Sequence, residues 1–376
     1  MSPSIRFPEF TGEWEKCKLG TLATKVGSGS TPKGGDAVYT SIGHYFVRSQ
    51  NVGMGFLMLD NIAHINDDIH QKHKATEIYE NDVLLNITGA SIGRTAVATK
   101  ELEGGNVNQH VCIIRTNSKV NPKFLCDYIQ TQRIQNHIKS LQTGGSREGL
   151  NFEQIRSFPI SLPSINEQNK LTCLLDKINE RIATQVRLID RLQSLMIGIR
   201  HRIINEAKGK IVCLCEVSDI YQPQTISSAD LTETGYPVYG ANGIIGHYTS
   251  YNHEAEQVCI TCRGNTCGGV NYTKSKSWIT GNAMVVNVDR YQNIVSKRYL
   301  YHYLSNCDFN SIISGSGQPQ IVRAPLAKFK IILPTVMQQY KIAHCLDVIQ
   351  NKINVNSNIL NLLIRQKQYL LRKMFI

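Results

Sequence analysis

The sequence predicts a mixed α/β fold in which two strand-rich globular domains are separated by a long antiparallel two-helix coiled coil. Three observations predict it. One segment of the chain recurs after almost half its length, both copies carry a heptad pattern of apolar residues, and the stretches that precede the two copies correspond loosely to each other. Duplication of this kind is typical of a chain with a pseudo-twofold internal repeat.

The repeated segment begins at Leu162 and again at Leu333, an offset of 171 positions. The first copy opens with the letters LPSINEQNKL and the second with LPTVMQQYKI. The correspondence continues without a gap to Ile204 in the first copy and Phe375 in the second. Both copies therefore have the length of a long helix of about eleven turns, at about 3.6 residues per turn.

The start of each copy carries a capping-box pattern, Ser164 with Glu167 and Thr335 with Gln338. In such a box the two side chains and the backbone satisfy amide donors that a first helical turn leaves free. A proline directly precedes each capping residue, where no helical hydrogen bond is lost. The pattern predicts that both helices begin at these points.

Apolar residues then recur at the a and d positions of a heptad, which is typical of a coiled coil. In the first copy, position a holds Leu175, Ile182, Ile189, Met196 and Ile203, and position d holds Leu171, Ile178, Gln185, Leu192 and Ile199. In the second copy, position a holds Leu346, Ile353, Leu360, Lys367 and Met374, and position d holds Ile342, Ile349, Asn356, Leu363 and Leu370.

Two amides interrupt the apolar seam at equivalent d positions, Gln185 and Asn356, each near the midpoint of its helix. If the helices pair antiparallel, these midpoints coincide and the two amides lie within about one turn of each other. A buried amide at such a position commonly fixes the register and orientation of a coiled coil. The alternative is that each amide bends out to solvent.

The segments outside the helices correspond less closely. Residues 82–93 match residues 257–268 as a strand followed by a glycine-containing loop, and the glycine-rich residues 143–147 match residues 314–318. We therefore divide the chain into a first globular domain (1–161), a first helix (162–208), a second globular domain (209–332) and a second helix (333–376). Residues 206–210 form a polar linker in which Gly209 suits the end of a helix.

Composition narrows the class of protein. The chain has 376 residues and a formal net charge of +12, which favours a polyanionic partner such as DNA or RNA. The amino-terminal residues contain no apolar run typical of a signal peptide, and no stretch approaches the roughly 20 apolar residues of a membrane span. The 11 cysteines are scattered and odd in number, as expected for reduced thiols. We expect a cytoplasmic protein with no membrane partner.

Several strings, in their order and duplication, resemble the specificity subunits of type I restriction-modification systems. They are IRFPEFTGEW at residues 5–14, YPVYGANGIIG at 236–246, GSGQPQI at 315–321 and the two helices that begin after a Leu-Pro pair. The resemblance covers nearly the whole chain. The loops between these strings look individual to this protein, as expected if they determine which DNA sequence is recognised.

The resemblance implies that each globular domain is a target recognition domain that binds half of a split, asymmetric sequence in double-stranded DNA. It implies that the helices separate these domains and dock two modification subunits, which methylate adenine with S-adenosylmethionine. It also implies a restriction subunit with ATP-driven translocase and nuclease activities. ATP, Mg²⁺ and S-adenosylmethionine are expected on those partner subunits, and no cofactor is expected on this chain.

Motifs for catalysis are missing from the sequence. It contains no phosphate-binding loop of the form GxxxxGK[ST] and no Asn-Pro-Pro-aromatic string of the amino-methyltransferases, to which NPKF at residues 121–124 is the nearest approach. A non-catalytic subunit is therefore expected. The alternatives are a stand-alone DNA methyltransferase or nuclease with duplicated recognition domains, and a coiled-coil scaffold without a nucleic-acid role.

A metal site is a further alternative, suggested by Cys259, Cys262 and Cys267. A structural zinc site requires four ligands, usually as two close pairs, and only one pair is present here. Because Cys259 and Cys262 are predicted on a strand, they should point to opposite faces. A second candidate group comprises His64, His70 and His73 with Asp67 and Asp68. We expect the cysteines to be small buried residues and the histidines and aspartates to lie in a solvated loop. We expect no metal at either group.

Candidate DNA contacts are polar residues in predicted loops. Arg and Lys can form two hydrogen bonds with guanine, and Asn and Gln with adenine. The alternative is that these are ordinary turn residues. The candidates are Arg48, Ser49, Gln50, Asn51, Thr88, Ser91, Arg94, Ser146 and Arg147 in the first domain, and Asn242, Arg263, Asn265, Thr266, Gln318 and Gln320 in the second.

Overall fold

A computed structural model describes residues 3–142, 149–241, 243–315 and 317–376. The chain divides into two compact units. Unit 1 comprises Met1–Thr184 and Leu360–Ile376, and unit 2 comprises Gln185–Ile359. Each unit is described separately below. The sequence-based candidates Ser146, Arg147 and Asn242 lie outside the described residues.

Unit 1 contains strands in three sheets. Its strands are β1 (Glu15–Lys18), β2 (Ala23–Ser28), β3 (His44–Val47), β4 (Ala63–Ile65), β5 (Val83–Asn86), β6 (Thr95–Val97), β7 (Asn106–Val107), β8 (Val111–Thr116) and β9 (Pro159–Leu162). Its helices are α1 (Leu19–Leu22), α2 (Asp67–Lys72), α3 (Pro122–Ile129), α4 (Gln132–Gln142), α5 (Phe152–Arg156) and the first half of α6 (Ile165–Glu206). The sheets have the orders β2-β8-β5-β6, β4-β3-β7 and β1-β9.

Unit 2 contains the second half of α6 and the elements that follow it. Its strands are β10 (Lys210–Cys213), β11 (Asp219–Tyr221), β12 (Tyr236–Gly240), β13 (Gly243–Tyr248), β14 (Val258–Thr261), β15 (Val270–Tyr272), β16 (Trp278–Ile279), β17 (Ala283–Asn287), β18 (Ile313–Ser314), β19 (Gln320–Ile321) and β20 (Lys330–Leu333). Its helices are α7 (Leu214–Val217), α8 (Lys297–Leu304), α9 (Arg323–Ala327) and part of α10 (Val336–Met374).

Three of the four sheets described in unit 2 repeat those of unit 1, and the fourth is the two-stranded sheet β18-β19. The orders β11-β17-β14-β15, β13-β12-β16 and β10-β20 correspond strand by strand to the three sheets of unit 1. In both units the three-stranded sheet contains one parallel pair, β3 with β7 and β12 with β16. The mixed α/β class and the internal repeat predicted from the sequence are therefore confirmed.

The central strands β5 and β14 form because their residues are apolar and buried on both faces. All four residues of each strand are buried, with the sequences VLLN and VCIT. A strand that is covered on both faces has a continuous apolar run instead of an alternating one. Each strand ends in one polar residue, Asn86 or Thr261, and these two residues position the loops described below.

The core of unit 1 includes the end of the chain. The Phe375 ring lies 5.4 Å from Phe124 and 6.4 Å from Trp14, measured between ring centroids. Leu371 and Met374 are buried in the same cluster. In unit 2 the equivalent of Phe375 is Ile204, which is buried in a cluster with Tyr299 and Leu300. Each globular core is thus completed by the last turns of a long helix.

A buried glutamine joins each long helix to the short helix that packs beside it. Gln168 Oε1 accepts a hydrogen bond from the Asn121 amide at 2.8 Å, and its Nε2 donates to the Pro163 carbonyl at 2.9 Å. Gln339 makes the equivalent bonds in unit 2, with the Ser296 amide at 2.8 Å and the Pro334 carbonyl at 2.9 Å. Because both glutamines are fully buried, these bonds satisfy amides that water cannot reach.

The long helices α6 and α10 are present as predicted, and within unit 2 their heptad residues contact one another. Met196, Leu346 and Ile353 form a buried cluster to which d-position residues of both helices contribute. Gln185 and Asn356 also meet, since Gln185 Nε2 donates to Asn356 Oδ1 at 2.6 Å. The two helices are antiparallel at this point.

Only the second of the two predicted capping boxes is complete. The Gln338 amide donates to Thr335 Oγ1 at 3.4 Å, and the Thr335 amide donates to Gln338 Oε1 at 3.2 Å. At the first helix the Glu167 amide donates to Ser164 Oγ at 3.4 Å, but the Glu167 carboxylate binds Arg6 instead. The prediction of a reciprocal box at Ser164 and Glu167 was therefore wrong, because a guanidinium is a stronger partner for a carboxylate than a backbone amide.

Among the residues that the structure describes, no helix is both long enough and apolar enough to cross a membrane.

Candidate nucleic-acid interface

In each unit, loops from separate parts of the chain converge at one end of the four-stranded sheet. In unit 1 this end is formed where β5 ends and β8 begins. The Ile87 amide donates to the His110 carbonyl at 3.0 Å, and the Leu150 amide donates to the Ile87 carbonyl at 2.8 Å. We call this end, with residues 29–31, 48–51, 87–94 and 108–110 around it, the loop end of unit 1.

Asn86 holds the loop at residues 48–51 against this end. Its Nδ2 donates to the Ser49 carbonyl at 2.8 Å. Gln50 is exposed there, whereas Ser49 is half-buried. Asn51 is only 3% exposed, and its side chain accepts from the Arg48 amide and donates to the Met58 carbonyl. Asn51 therefore shapes the loop, and both ends of its side-chain amide are engaged in doing so.

A row of four polar side chains, linked by hydrogen bonds and close contacts, crosses the loop end of unit 1. Thr31 Oγ1 bonds to Gln109 Oε1, Gln109 Nε2 lies 3.0 Å from His110 Nε2, and His110 Nδ1 bonds to Thr88 Oγ1. Of these four residues the sequence predicted only Thr88. The signal that could have found the others is their position directly after β2 and directly before β8, at the same end of adjacent strands.

Two arginines add positive charge to the loop end of unit 1. Arg94 is exposed and forms no hydrogen bond or ion pair through its side chain with the described residues. The Arg48 guanidinium lies 5.4 Å from the centre of the Tyr39 ring, and its Nε is buried without a hydrogen-bond partner among the described residues. Ser91 is half-buried in the same loop as Arg94. These cationic groups suit an anionic ligand.

Unit 2 has the same arrangement. Thr261, the counterpart of Asn86, donates from Oγ1 to the Ala241 carbonyl. The Cys262 amide donates to the Asn282 carbonyl at 3.0 Å, and the Ile321 amide donates to the Cys262 carbonyl at 3.0 Å. The loop end of unit 2 therefore comprises residues 241, 262–269, 281–282 and 317–321. Gln222 Nε2 also reaches it through the Gly281 carbonyl.

Five sequence-predicted candidates meet at the loop end of unit 2. An isolated antiparallel bridge places Arg263 directly opposite Gln320, and the Gly264 amide donates to the Pro319 carbonyl at 3.0 Å. All five side chains are exposed, namely those of Arg263, Asn265, Thr266, Gln318 and Gln320. The structure thus brings together residues that are more than fifty positions apart in the sequence.

The loop backbones at the two ends are alike. Gly89 and Gly264 have φ values of 69° and 85°, and Gly93 and Gly268 have φ values of 85° and 90°. These values lie in the left-handed region, which glycine adopts without steric cost. The Gly93 amide donates to the Asn86 carbonyl at 3.0 Å, and the Gly268 amide donates to the Thr261 carbonyl at 2.9 Å. One backbone frame therefore carries different side chains in the two units.

Of the three candidate cysteines in unit 2, Cys259 and Cys262 are buried and Cys267 is half-buried. Cys259 and Cys262 belong to different apolar clusters, on opposite sides of the sheet. Burial raises the pKa of the Cys259 thiol to about 12, which keeps it protonated at neutral pH. Among the described residues no group of three or more His, Cys, Asp or Glu side chains could hold a metal ion. His70 instead hydrogen-bonds Asn106, at 2.7 Å between Nδ1 and Oδ1.

Most of the chain matches a protein-family model. Residues 11–194 and 207–365 match the model of the type I restriction modification DNA specificity domain, so that two copies cover most of the chain. Among curated proteins, the chain is similar to the EcoprrI type I restriction enzyme specificity subunit of Escherichia coli, with 31% identity over 148 residues. That alignment covers 38% of this chain and 36% of the relative, so the chain matches little more than a third of the length of that subunit.

Two solved structures share the fold over the whole chain. The type I restriction-modification S subunit from M. genitalium is 16% identical with a TM-score of 0.68, and the comparison covers 100% of this chain and 99% of that chain. A chain from a study of complex assembly and conformational transition of the type I R-M system is 18% identical with a TM-score of 0.58, covering 98% of both chains. At these identities the likeness establishes the fold.

Proposed function

Because this chain belongs to the type I restriction-modification DNA specificity family, we propose that it recognises a bipartite, asymmetric DNA sequence through the loop ends of its two units. The observation that carries the proposal is the repeated loop frame. The same strand order, the same glycine conformations and equivalent backbone hydrogen bonds recur, while the exposed side chains differ. Two similar frames with different side chains fit a target whose two halves differ in sequence.

Charge and exposure support DNA as the ligand. Both loop ends present exposed arginine and amide side chains, the groups that hydrogen-bond guanine and adenine edges in the major groove. The formal net charge of +12 favours the phosphate backbone. Backbone contacts would position each unit on the duplex, and contacts with base edges would determine the sequence.

We further propose an assembly in which the chain supplies sequence recognition. Two modification subunits bound to the chain supply adenine methylation with S-adenosylmethionine. Restriction subunits supply ATP-driven translocation and cleavage with Mg²⁺. The chain itself then needs no cofactor. The structural relative from a type I R-M complex supports membership of an assembly of this kind.

The test is to express the chain with its modification subunits and to map methylated adenines in the host genome. We expect one bipartite motif whose two halves differ. Replacing residues 211–332 with the equivalent segment of another family member should change one half of the motif and leave the other unchanged. If both halves change together, or if methylation has no sequence preference, the two units are not independent recognition domains.

A further inference from the structure

The two loop ends differ in their side chains at one equivalent pair of bridged positions. In unit 1 an isolated bridge pairs Thr88 with Gly149, and in unit 2 the equivalent bridge pairs Arg263 with Gln320. The backbone around both bridges is the same, because Leu150 bonds to Ile87 as Ile321 bonds to Cys262. At these positions the backbone is therefore the same in the two units, whereas the side chains differ.

The Arg263–Gln320 bridge holds two long polar side chains next to each other. Residues directly opposite in an antiparallel pair have Cβ atoms about 4.5–5.5 Å apart and project from the same face. Both side chains are exposed, and within the described residues neither forms a side-chain hydrogen bond, ion pair or ring contact. The Gln320 carbonyl, by contrast, accepts from Ser314 Oγ at 3.4 Å, so the backbone beneath Gln320 is held.

We propose that Arg263 and Gln320 form the purine-recognising pair of unit 2, in which Arg263 binds a guanine and Gln320 binds an adjacent adenine. Arginine matches the O6 and N7 acceptors of guanine, and glutamine matches the N6 donor and N7 acceptor of adenine. Neighbouring bases are about 3.4 Å apart along a strand, a spacing that two side chains from one bridge can span. The proposal rests on the proposed function, since it assigns bases to a recognition unit.

Unit 1 has a different chemistry at this place. Gly149 has no side chain, and the Thr88 hydroxyl is bonded to His110. No paired contact with two purines can arise from these two positions. The half-site bound by unit 1 is therefore assigned to other side chains of its loop end, which include the exposed Gln50 and Gln109.

The experiment compares three variants in the complete complex with the modification subunits, using a randomised DNA library and sequencing of the methylated products. For Arg263→Ala we expect discrimination at one guanine to fall by about 5- to 150-fold, with the other half-site unchanged. For Gln320→Ala we expect a similar loss at the neighbouring adenine. The matched control is Arg290→Ala, an exposed arginine beyond the opposite end of β17, and it should keep the wild-type motif.

Other outcomes overturn the assignment. A motif that stays unchanged in Arg263→Ala shows that Arg263 does not contact a base, and an equal loss of methylation at every sequence indicates a phosphate contact instead. If the alanine variant does not assemble, Arg263→Gln carries the test, because glutamine at this position should favour adenine over guanine. A wild-type complex without sequence preference would refute the proposed function itself, which separates that failure from failure of this assignment.

Discussion

The side chains of Gln185 and Asn356 hydrogen-bond to each other at 2.6 Å, although 171 positions separate them in the sequence. Gln185 Nε2 also lies 3.1 Å from the Asn356 carbonyl. The two residues occupy equivalent heptad positions, so the contact joins corresponding points of the repeated helix. Apolar neighbours such as Met196 and Ile353 surround the seam in unit 2. A slip of the helices would remove the bond between the two side chains, although Asn356 Nδ2 would still donate to the Lys352 carbonyl of its own helix.

We predict that Gln185→Ala lowers the free energy of unfolding of the chain by roughly 1–2 kcal/mol, because it removes the donor to the half-buried Asn356 Oδ1. Chemical denaturation measures this change. The control is Gln193→Ala on the same helix, where the glutamine is exposed and the change should be within about 0.5 kcal/mol. The double variant Gln185→Leu with Asn356→Leu should recover stability, since an apolar pair needs no hydrogen bond.

The helices could be predicted from the sequence because their signals are local. Heptad periodicity extends over the whole of α6 and α10, and it needs no knowledge of the rest of the chain. The partner of Glu167 could not be predicted in this way. Arg6 lies 161 positions away and reaches the carboxylate only after folding. The local capping pattern was therefore outweighed by a distant ion pair.

At the loop ends, too, some features could be predicted from the sequence and others could not. The sequence identified the loops after β5 and β14 from their glycines and polar residues, and it identified Arg263 and Gln320 separately. That these two residues face each other depends on a bridge between segments 57 positions apart. Gln109 and His110 were missed because a turn before a strand carries no distinctive pattern. Their relation to Thr88 comes from strand pairing in the folded sheet.

Glu167 offers a direct test of the ion pair. Both of its carboxylate oxygens accept from Arg6 at 2.7 Å, and Trp14 Nε1 donates to it at 3.3 Å. We predict that Glu167→Ala destabilises the chain by roughly 2–3 kcal/mol, because the largely buried Arg6 loses its only carboxylate partner among the described residues. At the equivalent position, Gln338→Ala removes an exposed capping interaction and should cost about 1 kcal/mol or less. Equal losses in the two variants would contradict the ion-pair explanation.

His302 makes the stability of unit 2 depend on pH. Its Nε2 lies 2.7 Å from Asp347 Oδ1, and its Nδ1 is buried without a hydrogen-bond partner among the described residues. Burial lowers the pKa of His302 to about 4, and the nearby Arg200 and Arg298 act in the same direction. Asp347 opposes this shift without reversing it. Neutral His302 is therefore the form that the folded protein contains at pH 7.

Because the folded pKa of His302 lies below the unfolded value of about 6.5, the unfolded chain binds the extra proton first as the pH falls. We predict that the free energy of unfolding decreases between about pH 6.5 and pH 4, by roughly 2–4 kcal/mol in total from this group. Denaturation midpoints measured across this range should be less pH-dependent in His302→Gln. The exposed His344 on α10 serves as the control, and His344→Gln should retain the wild-type pH dependence. Identical pH profiles for wild type and His302→Gln would contradict the assignment.

The variant Arg94→Ala measures how much the loop end of unit 1 contributes to DNA affinity. Its side chain is exposed at the end of the loop that carries Thr88, and it forms no ion pair with the residues that the structure describes. If it contacts a phosphate, Arg94→Ala should weaken binding of the assembled complex to all DNA sequences alike. The slope of log affinity against log salt concentration should then fall in magnitude by about 1, as one fewer phosphate is neutralised. Arg187→Ala, an exposed arginine on α6, should leave the slope unchanged. A variant that keeps its salt slope but loses one base of the methylated motif would instead place Arg94 on a base edge, and the phosphate assignment would be wrong.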